Sequence, residues 1–318
     1  MSVLIAKKRK NSMYKKIVLI VFLILSLPLT LAIIVNYRAA PEVIKDTRLQ
    51  VSASFYPLVY LAEQVGGDKV TVTSVIPNGI EPHDFEPTPQ NIITLRSTKV
   101  FIYNGNGFDA WAERLKPELE NAGVAVVSAS QAVTAISSQP DSANFDPHIW
   151  LDPIRVRQIS ELIRDTFSAL DPANADYYRA QSDIFSERLS LLHNDYEKTL
   201  ANCATQTVVV SHDAFGYLAK RYNLKMYSIA GLSPDAEPSV KRLADLATLV
   251  KEQKISTIFF EAMVSQNLAN TLAQETGAKT AVLNPLEGLT AGDLAANRNY
   301  ETIMHDNLQA LALALICQ

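Results

Sequence analysis

From Arg48 onward the chain repeats one pattern that restricts the fold more than any other feature in it. A short apolar run is followed by a turn, a helical stretch and another apolar run. LQVSASF, KVTVTSVI, KVFIYN and VAVVSA read as strands. Between them lie helical segments such as PLVYLAEQVGG, which stops on glycine, and PTPQNIITLRS, with proline in its first turn. The rhythm returns in TVVVSH, KMYSIAG, STIFFE and TAVLN, separated by helices around Phe215–Tyr222, Ser239–Gln253 and Gln266–Thr276. Strands alternating with helices build parallel βαβ units. Two separated series of them imply two α/β lobes rather than one continuous sheet.

The stretch between the two series is helical. Ile154 to Leu170 is amphipathic and is stopped by Asp171-Pro172, and Pro172 opens a second helix running to about Leu200. Phe185, Leu189, Leu192 and Tyr196 recur at a spacing of three or four and mark its buried face. Such a helix is about 42 Å long, enough to span both lobes and stiff enough to resist a large hinge closure. Residues 134–144 are small and polar and read as an exposed loop. The expected organisation is therefore a basic head with an apolar segment over 1–47, an N-terminal α/β lobe over 48–170, a linking helix over 171–203 and a C-terminal α/β lobe over 204–318.

Charge divides the chain in the same way. Residues 1–47 hold eight Lys and Arg against Glu42 and Asp46, a net of +6, so a total of −4 leaves −10 on the remainder. An acidic body argues against nucleic-acid binding. Behind the basic head, Ile17 to Val35 carries no charge. As a helix it would be about 28 Å long, close to the hydrocarbon thickness of a bilayer. The preceding lysines place the body on the outer side of the membrane. The residues after the run, NYRAAP, make a poor cleavage site, and no cysteine is near for lipidation, so an uncleaved anchor is expected over a cleaved signal. In an exported body the two cysteines, Cys203 and Cys317, suggest one disulfide that would hold down the C-terminal helix; two buried thiols are the alternative.

There are five histidines. His83 (EPHDFEPTP) follows a strand and a Pro-bearing turn, His148 (FDPHIWLDP) precedes a helix, and His212 (VVVSHDAF) ends the most apolar strand. Each alone reads best as a hydrogen-bonded turn or core residue. Together they come from separate loops, two of them at the carboxyl ends of parallel strands, where open α/β sheets bind ligands. Transition-metal coordination is the chemistry that most often needs this. Asp84, Asp146, Asp152 and Asp213 are near enough to be candidates for orienting the rings, although each reads equally as a helix cap or a solvated loop charge. His193, in mid-helix, and His305 read as surface or packing residues.

The motifs EPHDFEPTP, VFIYNGNGFDAW, DPHIWLDP, VVVSHDAFGYLAKRY, GLSPDAEPS, FFEAMVSQNLANTLAQETG and LNPLEGLT occur in this order. With them the chain resembles the zinc and manganese solute-binding proteins of ABC transporters, the ZnuA/AdcA/TroA-like group, over nearly all of Arg48 to Cys317. The resemblance implies two α/β lobes, a rigid connecting helix and a metal in the cleft. His83 and His148 match the two ligands of the first lobe and His212 the third, from the second lobe. The fourth is a carboxylate from the loop after the last strand. Many relatives have aspartate where Asn284 stands, and Glu287 matches the glutamate of the branch whose loop contains PLE. Asn284, Glu261 and water are the alternatives. The resemblance also implies a monomer that works with a membrane permease and its cytoplasmic ATPase. Three imidazoles and one carboxylate suit Zn²⁺, whereas Mn²⁺ prefers more oxygen; Cu²⁺ and Ni²⁺ also accept nitrogen-rich sites.

Two function classes follow. The first is an extracytoplasmic carrier that binds Zn²⁺ without catalysis. The second is a zinc enzyme using the same three histidines with an open fourth position and Glu261 as base. No HExxH pattern accompanies the histidines, and no P-loop is present for ATP hydrolysis.

Overall fold

The computed structural model describes residues 13–24, 46–136 and 145–318. It separates into two units, Met1–Thr47 and Arg48–Gln318. In the first, residues 13–24 are helical (α1) and expose their apolar side chains, from Met13 to Ile24. No helix among the described residues is long and apolar enough to cross a membrane. The rest of the expected anchor, residues 25–35, and most of the expected polar loop, residues 137–144, lie outside the described residues.

The second unit holds two four-stranded sheets, every pairing parallel, flanked by helices. The first contains β1 (Leu49–Ala53), β2 (Val70–Ser74), β3 (Val100–Tyr103) and β4 (Ala125–Ser128) in the order β2-β1-β3-β4. The second contains β5 (Thr207–Val210), β6 (Lys225–Ser228), β7 (Thr257–Phe260) and β8 (Lys279–Val282) in the order β6-β5-β7-β8. Register is set by Val51 opposite Val72 and Val100 in the first sheet and by Val209 opposite Ile258 in the second. The central strands β3 and β5 place apolar side chains on both faces. Val100 and Ile102 enter the main core, while Phe101 and Tyr103 enter a smaller cluster on the far face. Val208 and Val210 likewise face the main core, and Val209 the outer cluster. This two-residue alternation with both sides buried is expected of a parallel sheet covered by helices.

The helices of the first lobe are α2 (Tyr56–Gly66), α3 (Pro89–Ser97) and α4 (Ala110–Asn121). Pro57 enters the first turn of α2, and Thr88 and Asn91 form a reciprocal capping box ahead of α3. Then come α5 (Pro153–Leu170) and α6 (Ala175–Leu200), the latter 26 residues and so about 39 Å. Tyr178, Phe185, Leu189, Leu192 and Tyr196 line the buried face of α6, in agreement with the periodicity. The helix starts three residues later than the sequence suggested. Pro172–Asn174 forms a 3₁₀ turn instead, because the Asp171 carboxylate accepts from Asn174 Nδ2 and Tyr178 OH, both at 2.7 Å.

The second lobe carries α7 (Gly216–Arg221), α8 (Val240–Glu252), α9 (Asn267–Thr276), α10 (Ala291–Ala295) and α11 (Tyr300–Leu315). One continuous core runs from β1 and β3 through α5, α6 and α11 to β5, Phe259 and Leu283. The lobes are thus welded along a shared apolar seam. Cys203 and Cys317 are disulfide-bonded, tying the end of α11 to the end of α6.

Candidate metal centre

The carboxyl ends of both sheets carry the candidate residues. After β2 the chain makes two tight turns, with Ile80 N–H donating to Pro77 O and Phe85 N–H to Pro82 O, both at 3.3 Å. His83 is the second residue of the second turn. Its backbone N–H donates to the Glu81 carboxylate, and its ring meets Phe108 edge-on at 4.8 Å. His148 directly precedes a 3₁₀ turn, Ile149–Leu151. Asp146 accepts from both its backbone N–H at 2.9 Å and its Nδ1 at 2.8 Å. His212 lies two residues beyond β5, and its Nδ1 is 2.6 Å from Glu261 Oε1. Glu261 follows β7 directly. The β5–β7 register explains the pair: Val209 faces Ile258, and three residues further along each strand stand His212 and Glu261. Ser211 Oγ donates to the same carboxylate oxygen.

Glu287 belongs to the loop after β8. Its Oε1 lies 3.3 Å from His83 Nε2, 3.5 Å from His148 Nε2 and 3.4 Å from His212 Nε2. The Nε2 atoms of His148 and His212 are 3.3 Å apart. In a tetrahedral zinc site with bonds of 2.0–2.1 Å, the donor atoms are separated by about 3.3–3.4 Å. Four of the six donor pairs here, at 3.3–3.5 Å, match that spacing, and ligand atoms of all four residues lie within 4.8 Å of one another. Both His148 and His212 give Nδ1–H to a carboxylate, so in neutral rings Nε2 carries a lone pair. Two lone pairs and a carboxylate oxygen facing one another in a buried pocket repel unless a cation or protons sit among them.

Charge on the site follows the same logic. Burial opposes protonation of His212, but Glu261 and Glu287 outweigh it and push the imidazole up to about 10. Burial also opposes charge on His148, and its hydrogen bonds with Asp146 and Glu287 still raise it. Burial alone would raise the Glu287 carboxyl, yet hydrogen bonds from His148, His212 and His83 hold it well below the usual carboxylate range. His148 and His212 are fully buried and Glu287 nearly so, while His83 is partly exposed beside an open cavity of about 550 Å³ that Phe145, Pro147 and Leu232 also line.

Among the described residues two side-chain groups could hold a metal ion. One is His83, His148, His212 and Glu287; the other, Glu81, Asp84 and Asp235, is all carboxylate and mostly exposed. The remaining sequence candidates are placed elsewhere. Asp152 caps α5 through Ile154 N–H and pairs with Arg221 at 2.7 Å. Asp213 is fixed through its backbone N–H to Gly231 O, and Asp84 is exposed. Of the four aspartates, Asp146 alone holds a site histidine. Glu261, considered as a ligand or base from the sequence, instead orients His212. Asn284 is committed to α11 and its own loop: its N–H and C=O bond the side chain of Asn307, and its Oδ1 accepts from Leu286 N–H. His193 contacts Tyr222 and His305 is exposed, as expected.

Two α/β lobes joined by a long helix, with three histidines and a glutamate converging where the lobes meet, are the architecture of a metal-binding solute-binding protein. The chain belongs to the family of zinc-uptake complex component A periplasmic proteins (ZnuA), whose family model matches residues 51–314. It is 37% identical over 278 residues to the zinc-binding lipoprotein AdcA of Streptococcus pneumoniae, covering 84% of this chain and 56% of that relative. The high-affinity zinc uptake system protein ZnuA of Bacillus subtilis is 36% identical over 284 residues, 86% of this chain and 89% of that one. The chain therefore spans about half of the streptococcal relative and most of the bacillar one. Among solved structures, the Zn(II)-bound ZnuA-like domain of pneumococcal AdcA superposes with a TM-score of 0.76 at 38% identity, covering 84% of this chain and 99% of that domain. The laminin-binding adhesin of Streptococcus agalactiae gives 0.79 at 33% identity, with 84% and 99% covered.

Proposed function

We propose that this protein is the extracytoplasmic zinc-capture component of an ABC uptake system. His83, His148, His212 and Glu287 bind Zn²⁺ as cargo, and a membrane permease driven by a cytoplasmic ATPase receives it. The body acts as a monomer with lobes over 48–170 and 204–318, held at the membrane by residues 17–35. The observation that carries this reading is the near-tetrahedral spacing among three Nε2 atoms and one carboxylate oxygen, 3.3–3.5 Å for four of the six donor pairs. A nitrogen-rich four-donor set favours Zn²⁺ over Mn²⁺.

A catalytic zinc needs an open coordination position and a nearby free base. Glu287 reaches all three histidines, which fills the fourth corner, and Glu261 is occupied by His212 and Ser211. A carrier is the reading this supports. Chelator-competition titration with Zn²⁺ and Mn²⁺ tests it. One Zn²⁺ binds tightly, Mn²⁺ far more weakly, and His212→Ala lowers zinc affinity by about a hundredfold or more. Absence of tight zinc binding, or tight binding that survives the substitution, overturns the assignment.

A further inference from the structure

The loop that presents Glu287 is fixed from both lobes. From the N-terminal lobe, Trp150 Nε1 donates to Pro285 O at 2.7 Å. From α11, Asn307 accepts from Asn284 N–H at 2.8 Å and donates to Asn284 O at 2.7 Å, while Tyr300 OH donates to Trp150 O at 2.7 Å. Within the loop, Asn284 Oδ1 accepts from Leu286 N–H, and Leu286 adopts a left-handed backbone with φ of 62°. That conformation is unfavourable for leucine and persists only where its surroundings over-determine it.

Trp150 stands two residues after His148, and Pro285 two residues before Glu287. One buried hydrogen bond across the lobes therefore sets the separation of two members of the metal centre. The indole is fully buried between Phe55 at 4.8 Å and Phe108 at 5.0 Å, so its direction is locked by packing.

We propose that Trp150 and Asn307 are positioning residues for the fourth donor: they hold loop 284–287 so that the Glu287 carboxylate meets the three imidazoles before any metal arrives. This rests on the reading of Glu287 as a ligand. A pre-formed carboxylate corner gives the site its four-coordinate preference. Without it, the loop relaxes and water takes part of the fourth position.

The test is Trp150→Phe, which keeps an aromatic ring in the core and removes the N–H donor. Asn307→Asp, which keeps the acceptor but turns a donor into a second acceptor facing Asn284 O, is an independent route should Trp150→Phe fail to fold. Zinc affinity falls by about ten- to a hundredfold in either variant. With Co²⁺ as a spectroscopic probe, the intense visible bands of four-coordinate cobalt weaken as solvent enters, a change that loss of core packing alone does not produce. In a Glu287→Gln background, Trp150→Phe causes little further loss, because the two act through one contact. Unchanged affinity and cobalt bands in both positioning variants overturn the proposal while leaving Glu287 as a ligand. So do equal losses in the two backgrounds. Unaltered zinc binding by Glu287→Gln alone overturns the ligand reading and this inference with it.

Discussion

Each buried imidazole at the cleft is aimed by a carboxylate on its far nitrogen, and small contacts around those carboxylates matter as much as the ligands. Gly216 opens α7, and a Cβ there would run into Asp146 Oδ2. Asp146 is the group that orients His148. Alanine gains less over glycine at this first helical position than the roughly 1 kcal/mol of a helix interior, and displacing the Asp146 carboxylate offsets that gain, so the folding midpoint changes little. Because the carboxylate is the part that gives way, the variant misaims His148, and zinc affinity drops about tenfold. Parallel urea unfolding and chelator competition check this; undiminished zinc affinity would show that Asp146 does not aim the ring. Little of this was legible in the chain. Asp146 was one of four aspartates near a histidine, and local sequence cannot distinguish a carboxylate that orients a ring from Asp152, which caps α5 and binds Arg221.

Among the elements, α6 and α11 together form the seam of the molecule, and the disulfide between Cys203 and Cys317 joins their ends across a separation of 114 residues. Closing a loop of that length removes substantial entropy from the unfolded chain, and disulfides of this kind contribute about 2–4 kcal/mol. The paired substitution Cys203→Ser, Cys317→Ser should lower the unfolding free energy by that amount while zinc stoichiometry stays at one. Equilibrium unfolding with and without the pair measures the first, and free-thiol counting on denatured, unreduced protein checks the bond. The cysteine pair and the buried face of α6 were readable because both are local or purely compositional signals. The start of α6 was not: Asp171, with Asn174 and Tyr178 bound to its side chain, forms a 3₁₀ turn that delays the helix to Ala175.

In the molecule as a whole, the two lobes share one core and meet at one charged centre, so metal occupancy and stability are linked. A ligand at a hundred times its Kd stabilises a fold by about 2.7 kcal/mol, or about 5 °C in Tm for a body of this size. The pH dependence has a definite sign. The folded-state imidazole of His212 is raised to about 10 and that of His148 is raised as well. Their contribution to the metal-free fold is complete below about pH 6.5, the unfolded histidine value, and is lost as pH rises towards 10. Glu287, held low, contributes above its unfolded value and is lost only in strong acid. Zinc competes with the protons on these rings. Between pH 6.5 and 9.5 the metal-free Tm should therefore fall while the increment from zinc grows. Scanning calorimetry across that window decides it, and a zinc increment independent of pH would contradict the proton competition.

Alternating apolar runs and helical periods specify two parallel α/β lobes, and His83, His148 and His212 are recognisable as candidate metal ligands, because hydrophobic period and residue chemistry are written residue by residue. The partner of His212 depends on β7 lying beside β5, and the commitment of Asn284 depends on Asn307 from α11. Strand order and the approach of distant loops come from the packing of elements far apart in the chain, and no local pattern encodes that distance. The same packing carries Glu287 to the three imidazoles and, through Trp150, ties its loop to the opposite lobe.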